Sequence, residues 1–310
     1  MVLVFGACSA DDDGLVADQV LEGAWGEGAS LDRFGLMVIT VDNTAPGARL
    51  VGNAWFVEHD EGRRDDVVKL LEPFVFGGAG WLLRPPGAPL NNACSREDAA
   101  VGMGTFGEAG PVYFMDAGEL TVESPAGALA FQSGYFPDVD PDIGGLVYDT
   151  EADGARSLVS QPFMRFVGSG ASQVGMFRAE IRPPAALRLT RVGDVRLTSM
   201  LRPLSVPKAF DEALTVRWAS ARPVGDETSP SHVFVRLVRQ GFDRVTSVTC
   251  QVPDTGRFDI PVDVLGALTH VSDDPIDRVE VVRAYTVEFD AEGLDWGLAV
   301  MVSRDTILLN

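Results

Sequence analysis

The aspartates of one proline-containing stretch have the spacing of a calcium-binding loop. Asp138, Asp140 and Asp142 alternate along the chain, and Asp149 stands at the twelfth position of the same run. Carboxylate oxygens are preferred ligands of Ca²⁺, and one class of calcium loop places them at positions one, three, five and twelve. Ile143 occupies position six, where that class needs glycine. The pattern therefore favours an acidic turn exposed to solvent, with an irregular Ca²⁺ site as the alternative.

Other patterns that carry chemistry are missing from the sequence. His59, His232 and His270 have no second His or Cys at the spacing of a zinc site, and we expect the first two to lie at the surface. The nucleophile motif G-x-S-x-G does not occur, and no glycine-rich phosphate loop opens a helix. We therefore predict no catalytic residue, no cofactor and no enzyme activity. A hydrolase whose carboxylates meet only in the folded chain stays open as a third interpretation.

One tryptophan is placed to stack on a sugar ring. Trp81 lies in Gly80-Trp-Leu-Leu-Arg84 beside two prolines, which predicts exposure, whereas Trp218 and Trp296 lie in strand-like runs and are predicted to be core. Trp81 therefore supports an alternative function, a module that binds carbohydrate or another ligand.

The cysteines favour unpaired thiols over a disulfide. Cys250 shares a strand face with Val248 and Val252, which predicts burial, whereas Cys94 stands in a polar stretch that predicts an exposed loop. A buried and an exposed thiol do not meet the geometry of a bridge, so two free thiols are the prediction. A Cys94–Cys250 bridge that joins two domains is the alternative.

The charge balance excludes some partners. The 310 residues contain 25 Lys and Arg against 45 Asp and Glu, a net charge of −20. Such a field repels phosphate backbones, so nucleic acid is not expected as a partner. No apolar run reaches the 18 residues of a membrane-spanning helix.

Short alternating runs separated by Gly, Pro, Asn and Asp clusters indicate an all-β protein with few short helices. Runs such as 36–41, 120–122, 214–218 and 233–238 alternate or are rich in β-branched residues. Helical spacing is confined to 64–71 and 261–268, where Val264 and Leu265 share an apolar face.

Two antiparallel β-sandwich domains are predicted. Pro183-Pro184 ends strand pairing, and a new alternating run follows directly. We assign residues 24–183 to an N-terminal β domain and residues 184–310 to a C-terminal sandwich of seven strands: 187–190, 213–219, 232–240, 244–252, 257–260, 278–289 and 296–309.

The first residues resemble the end of a bacterial lipoprotein signal. An apolar stretch leads to Gly6-Ala7-Cys8, and three aspartates follow at positions 11–13. The resemblance implies processing before Cys8, lipidation of Cys8, anchoring to a membrane and location in the cell envelope, at the outer membrane or the extracellular surface. Residues 1–23 would then be a signal remnant and a tether.

Two further resemblances concern the strands. Leu214-Thr-Val-Arg-Trp218 with Ser247-Val-Thr-Cys250 resembles the C-terminal sandwich of two-domain lipoproteins of uncharacterised function from myxobacteria-like genomes. Val216-Arg-Trp218 also resembles fibronectin type III and immunoglobulin-like domains, in which a strand tryptophan fills the core. These likenesses imply fold and surface location but no activity. The first interpretation of function is therefore a surface-anchored structural or interaction protein with a protein or glycan partner.

Overall fold

A computed structural model describes residues 33–44, 47–59, 94–100, 111–136, 143–154, 156–197, 212–219, 232–240, 244–269 and 278–309. These residues form eighteen strands and two short helices, so the predicted all-β class is confirmed. The helices are α1 (Arg156–Val159) and α2 (Val262–Thr269). The strands are β1 (Arg33–Asp42), β2 (Arg49–His59), β3 (Cys94–Ala100), β4 (Val112–Phe114), β5 (Leu120–Ser124), β6 (Gly127–Ala130), β7 (Gln132–Tyr135), β8 (Ile143–Asp153), β9 (Met164–Gly168), β10 (Phe177–Ile181), β11 (Leu189–Val192), β12 (Val195–Arg196), β13 (Leu214–Trp218), β14 (His232–Gln240), β15 (Arg244–Val252), β16 (Arg257–Ile260), β17 (Arg278–Phe289) and β18 (Trp296–Leu308).

Ten strands form one large mixed sheet in the order β3-β15-β14-β17-β18-β1-β2-β4-β8-β7. Its pairs are antiparallel except β1–β18 and β4–β8, which are parallel. Two four-stranded antiparallel sheets accompany it, the first in the order β10-β9-β5-β6 and the second in the order β12-β11-β13-β16. We call them the first and the second small sheet.

Both small sheets pack on the same face of the large sheet. Val281 and Phe289 lie eight residues apart in β17 and therefore point to the same side. Val281 belongs to the core shared with the second small sheet, and Phe289 to the core shared with the first. A third apolar cluster, which includes Val282, lies on the opposite face. The large sheet is thus the common layer of two adjacent sandwich-like cores.

Most predicted elements of the C-terminal half are confirmed. Strands β14, β15, β16 and β17 have the predicted bounds, β13 and β18 lie within theirs, and β11 is displaced toward the C-terminus. Helix α2 also forms where predicted, with Leu265 fully buried and Val264 partly buried against the core of the second small sheet. The helical run predicted at 64–71 lies outside the described residues.

The two halves of the chain share the large sheet. In the centre of this sheet, β1 pairs with β18 from Phe34 to Asp42, with Leu36 opposite Leu298 and Val38 opposite Val300. At one edge, β3 pairs with β15. Hydrogen-bonded pairs therefore connect residues on both sides of the predicted boundary at 183–184, and the finer prediction of two separate sandwiches, the second immunoglobulin-like, is not confirmed.

Candidate functional site

A buried arginine holds together the region where the two small sheets meet on the large one. Arg283 of β17 is fully buried between the aligned residues Val233 and Ser303. Its Nε donates to Asp254 Oδ2 at 2.9 Å, and its Nη2 donates to Asp254 Oδ1 at 3.1 Å. Trp218 Nε1 donates to the same carboxylate at 2.8 Å, so Asp254 joins three elements of the fold.

The rest of the Arg283 guanidinium is bonded to backbone. Its Nη1 donates to the carbonyl of Ala185 at 2.7 Å and its Nη2 to that of Ala219 at 3.2 Å. Each guanidinium nitrogen thus has a partner, which is what a buried arginine requires. Because each nitrogen of the Arg283 guanidinium already donates a hydrogen bond within the protein, this side chain is suited to stabilising the fold rather than to binding a substrate.

The segment after Pro183-Pro184 crosses the large sheet and is held there by polar side chains. Ser303 Oγ accepts the N–H of Leu187 at 2.9 Å, and Asp305 Oδ2 accepts the N–H of Leu189 at 2.7 Å. With the bond from Arg283 to Ala185, these contacts fix the crossing residues from 185 to 189. The residues directly after the predicted domain boundary are therefore held on the large sheet.

Two aspartates near the end of this crossing have pKa values displaced in opposite directions. Burial raises the pKa of Asp305 above its ordinary value, although the N–H groups of Leu189 and Thr306 bond to it. Burial also acts to raise the pKa of Asp42, but the Arg304 guanidinium and the N–H of Thr44 outweigh it and lower the value. Thr44 Oγ1 also donates to Asp305 at 3.3 Å and accepts the N–H of Thr306. Thr44 therefore links Asp42 and Asp305 through hydrogen bonds within the fold.

A buried tyrosine links β8 to the turn after β4. Tyr148 Oη donates to Asp116 Oδ1 at 2.9 Å and accepts the N–H of Ala117 at 2.8 Å. Burial, with the neighbouring Asp116 carboxylate, raises the pKa of Tyr148 to about 12. The phenol therefore stays protonated over the physiological range, and its geometry is that of a structural anchor.

The opposite face of the large sheet holds one buried acid between two arginines. Glu280 stands directly opposite Arg236 across β14 and β17, with Nη1 to Oε2 at 3.6 Å. Arg278 Nε contacts Glu280 Oε1 at 2.9 Å. Two cations around one buried carboxylate compensate its charge.

The prediction of two free cysteine thiols is wrong. Cys94 and Cys250 form a disulfide and stand directly opposite each other in β3 and β15. Cys250 is buried as predicted, but Cys94 lies in an edge strand and not in an exposed loop. The sequence 94–100 contains no large apolar residue, so no hydrophobic alternation marked it as a strand.

The predictions for the histidines and for the two core tryptophans have different outcomes. His59 was expected at the surface, but it is the last residue of β2 and is buried against Phe34, with ring centroids 6.1 Å apart. Trp218 is core as predicted, and Trp296 is partly buried against the cluster on the opposite face. His232 begins β14, and His270 lies outside the described residues.

The predicted ligand residues fall mostly outside the described part of the chain. Cys8, Trp81, Asp138, Asp140 and Asp142 lie there, so lipidation, ring stacking and calcium binding stay predictions.

The fourth predicted calcium ligand is described. Asp149 is exposed in the middle of β8, opposite Asn53 on one side and Gln132 on the other. Residues from Ile143 to Asp149 are extended and span roughly 20 Å at about 3.3 Å per residue, unlike the compact loop that the spacing suggested. Within the described ranges, no three His, Cys, Asp or Glu side chains are grouped to hold a metal ion.

Among the described strands, β6 and β7 follow each other in the chain, and each lies at the edge of a different sheet, β6 in the first small sheet and β7 in the large sheet. Together with Phe131 they form the run Gly127–Tyr135, which contains no charged residue. Each of the two strands has only one partner among the described strands, β5 for β6 and β8 for β7. We call residues 127–135 the uncharged edge.

Together, the fold and these clusters define an all-β protein with an internal cross-strand disulfide and polar networks that serve the packing of its sheets. No helix in the described part is long and apolar enough to cross a membrane. No protein-family model matches the chain, and no curated protein matches its sequence.

Proposed function

We propose that this protein is an exported structural or interaction protein of the cell envelope, anchored to a membrane by lipid at Cys8. The observation that carries the proposal is the Cys94–Cys250 disulfide. Structural disulfides persist in oxidising compartments such as the periplasm and the cell surface, and they are rare in the cytosol of most organisms. The bridge therefore supports export.

The cysteine count supports the anchor. Two of the three cysteines pair with each other, which leaves Cys8 in the Gly6-Ala7-Cys8 sequence as the remaining thiol. A diacylglycerol thioether at Cys8 would bring two acyl chains, each contributing about 0.8 kcal/mol per buried CH₂. Two chains are enough for stable anchoring, whereas one gives only reversible binding.

An interaction role agrees with the chemistry of the described residues. The polar side chains of Arg283, Asp254 and Tyr148 form hydrogen bonds within the fold and serve packing. Strands β6 and β7 of the uncharged edge are instead mostly exposed to solvent, with only Phe131 between them buried. Surfaces that offer open sheet edges are suited to binding other chains.

The export and the anchor are tested together by fractionation and thiol labelling in the native cells. We expect the protein in the membrane fraction, with Cys94 and Cys250 protected from alkylation until a reductant is added. Cys8→Ser should move it to a soluble fraction with the bridge intact, whereas the matched control Ser9→Ala should stay on the membrane. Recovery of a protein with reduced Cys94 and Cys250 in the cytoplasm would contradict the proposal.

A further inference from the structure

The edge strands of the three sheets differ in how they are protected. Unpaired strand edges invite pairing with other chains, and proteins counter this with charged side chains. Of the six edge strands in the described ranges, four carry charges: Arg96, Glu97 and Asp98 in β3, Arg178 and Glu180 in β10, Arg196 in β12, and Arg257 and Asp259 in β16. The two without a charge are β6 and β7, which follow each other in the chain.

Strand β7 is accessible along its whole length. All four of its residues are exposed, and Tyr135 is 84% exposed. Within the described part of the chain, no segment covers β7. The Gly127–Tyr135 run also lacks proline, another residue that protects sheet edges.

The register shows which backbone groups of β7 point outward. The N–H of Phe136 donates to the carbonyl of Gly145 at 2.9 Å, which places this pair in the hydrogen-bonded class of the antiparallel ladder. Such pairs alternate along a ladder, so Gly134 and Gln132 also bond toward β8. Ser133 and Tyr135 then direct their N–H and C=O groups away from the sheet, which gives two donors and two acceptors for a further strand.

We propose that β7 is a strand-addition site for an extended, cationic segment of a partner protein. This inference rests on the proposed interaction role and names its surface. The segment would form an eleventh strand of the large sheet, with main-chain hydrogen bonds to Ser133 and Tyr135.

The charges beside β7 specify a cationic partner. Asp149 stands directly opposite Gln132 on the same face and is exposed, and Glu151 and Asp153 follow on that face of β8. Of these, Glu151 is paired with Arg49. An added strand would lie two strand spacings from β8, roughly 10 Å. A Lys or Arg side chain of the partner can span much of this gap toward Asp149, whereas a second copy of this chain would bring a further net charge of −20.

Gly134 gives the same face a second feature. A side chain at this position would meet no atom within 4 Å, and its cross-strand neighbour is the partly buried Val147. An apolar partner side chain can therefore rest over Gly134 against Val147. The site thus fits an extended segment in which apolar and basic residues occur together.

The test uses the full chain with Cys8→Ser, so that anchoring does not affect binding. Fluorescence anisotropy would measure its affinity for a labelled hexapeptide of alternating Lys and Val. A Lys-Pro hexapeptide of equal charge, which cannot donate from proline, and a Glu-Val hexapeptide serve as controls. We expect both controls to bind at least tenfold more weakly, and Asp149→Asn to weaken binding of the Lys-Val peptide about threefold.

Substitutions at Ser133 separate strand addition from general attraction. Ser133→Pro removes an outward N–H without removing a donor to β8, so it should weaken Lys-Val binding at least tenfold, whereas the matched control Ser133→Ala should bind normally. Equal affinity of these two variants, or equal binding of the Lys-Pro peptide, would overturn the proposal. A dimer that Ser133→Pro dissociates would also overturn it, because a second copy would then be the occupant.

Hydrogen exchange of the unsubstituted edge provides a measurement that does not depend on how the proline variant folds. The Lys-Val peptide should slow exchange of the Ser133 and Tyr135 amides, while the Gly134 amide, already bonded to β8, serves as the internal reference. No change at Ser133 and Tyr135 would overturn strand addition. Because the assay is done in solution, its failure leaves the export and anchor of Cys8 standing, and failure of those leaves this site standing.

Discussion

Removal of the Cys94–Cys250 disulfide should cost a large part of the stability of this protein. The bridge closes a segment with a sequence separation of 156 residues. In the loop-entropy description, cross-linking residues this far apart destabilises the unfolded chain by about 5 kcal/mol, at the upper end of the measured range of roughly 0–5 kcal/mol. We therefore expect Cys94→Ser with Cys250→Ser to lower the free energy of unfolding by several kcal/mol.

Removal of the disulfide should also loosen one particular strand, β3. Strand β3 is an edge strand with Arg96, Glu97 and Asp98 and no large apolar residue, so the bridge is a main attachment to β15. Amides of residues 94–100 should therefore lose protection from hydrogen exchange in the double variant, whereas those of β14 keep it. Fraying of an edge strand is the expected result when its covalent tie is removed.

The assay is urea unfolding in the Cys8→Ser background, which removes the third thiol. The oxidised protein, the protein with added reductant and the double serine variant are compared by circular dichroism. The oxidised sample should show no free thiol after denaturation, and reduction should reproduce the loss seen in the variant. Two free thiols in the oxidised sample, or equal midpoints for all three samples, would refute the reasoning.

Two further predictions concern the buried polar groups. The pKa of Tyr148 is about 12 in the folded protein against an ordinary value of 10. The neutral phenol therefore makes its full contribution to the free energy of unfolding below pH 10, and this contribution is lost as the pH rises toward 12. Relative to Tyr148→Phe, the free energy of unfolding measured by chemical denaturation should fall by about 1 kcal/mol between about pH 9 and pH 11, and the same pH dependence in both proteins would contradict this. Arg283→Met leaves Asp254 without its cation and should cost about 3–5 kcal/mol. The matched control Arg49→Met, which breaks the exposed pair with Glu151, should cost about 1 kcal/mol or less in the same urea assay, and equal losses would contradict the structural role of Arg283.

Local sequence patterns predicted the individual strands well. The alternation in Val233-Phe-Val-Arg-Leu-Val238 reports the two faces of β14 directly, with Val233, Val235 and Leu237 in the core of the second small sheet. Helix α2 is also predictable from the sequence, because Pro261 and the spacing of Val264 and Leu265 are local features that favour a helix. Such features depend on neighbours within a few residues.

The sequence does not predict how the strands assemble into sheets, because this assembly depends on pairing between distant segments. Strand β1 pairs with β18, which lies about 260 residues further along the chain, and neither sequence run indicates which strand it pairs with. The polar residues around Cys94 predict a loop, whereas residues 94–100 pair with β15 at all seven positions. Pro183 and Pro184 predict a domain boundary, whereas Arg283, Ser303 and Asp305 hold the following segment on the large sheet.

The polar networks also depend on contacts between distant residues, which the sequence does not predict. Asp254 follows Pro253 in a sequence typical of a turn, and Arg283 interrupts an apolar strand, but only the folded sheet brings the two side chains together. In contrast, the uncharged edge had a readable signal, since nine consecutive residues from Gly127 to Tyr135 carry no charge in a chain rich in acids. Absence of charge becomes informative only when the strand is known to lie at an edge.

The proposed function is tested most directly by the mass of the N-terminal peptide of the protein isolated from native cell membranes. Our account predicts a peptide that begins at Cys8, with residues 1–7 removed and a diacylglycerol thioether on its sulfur. A peptide that retains Met1–Ala7 and carries an unmodified Cys8 thiol would contradict it.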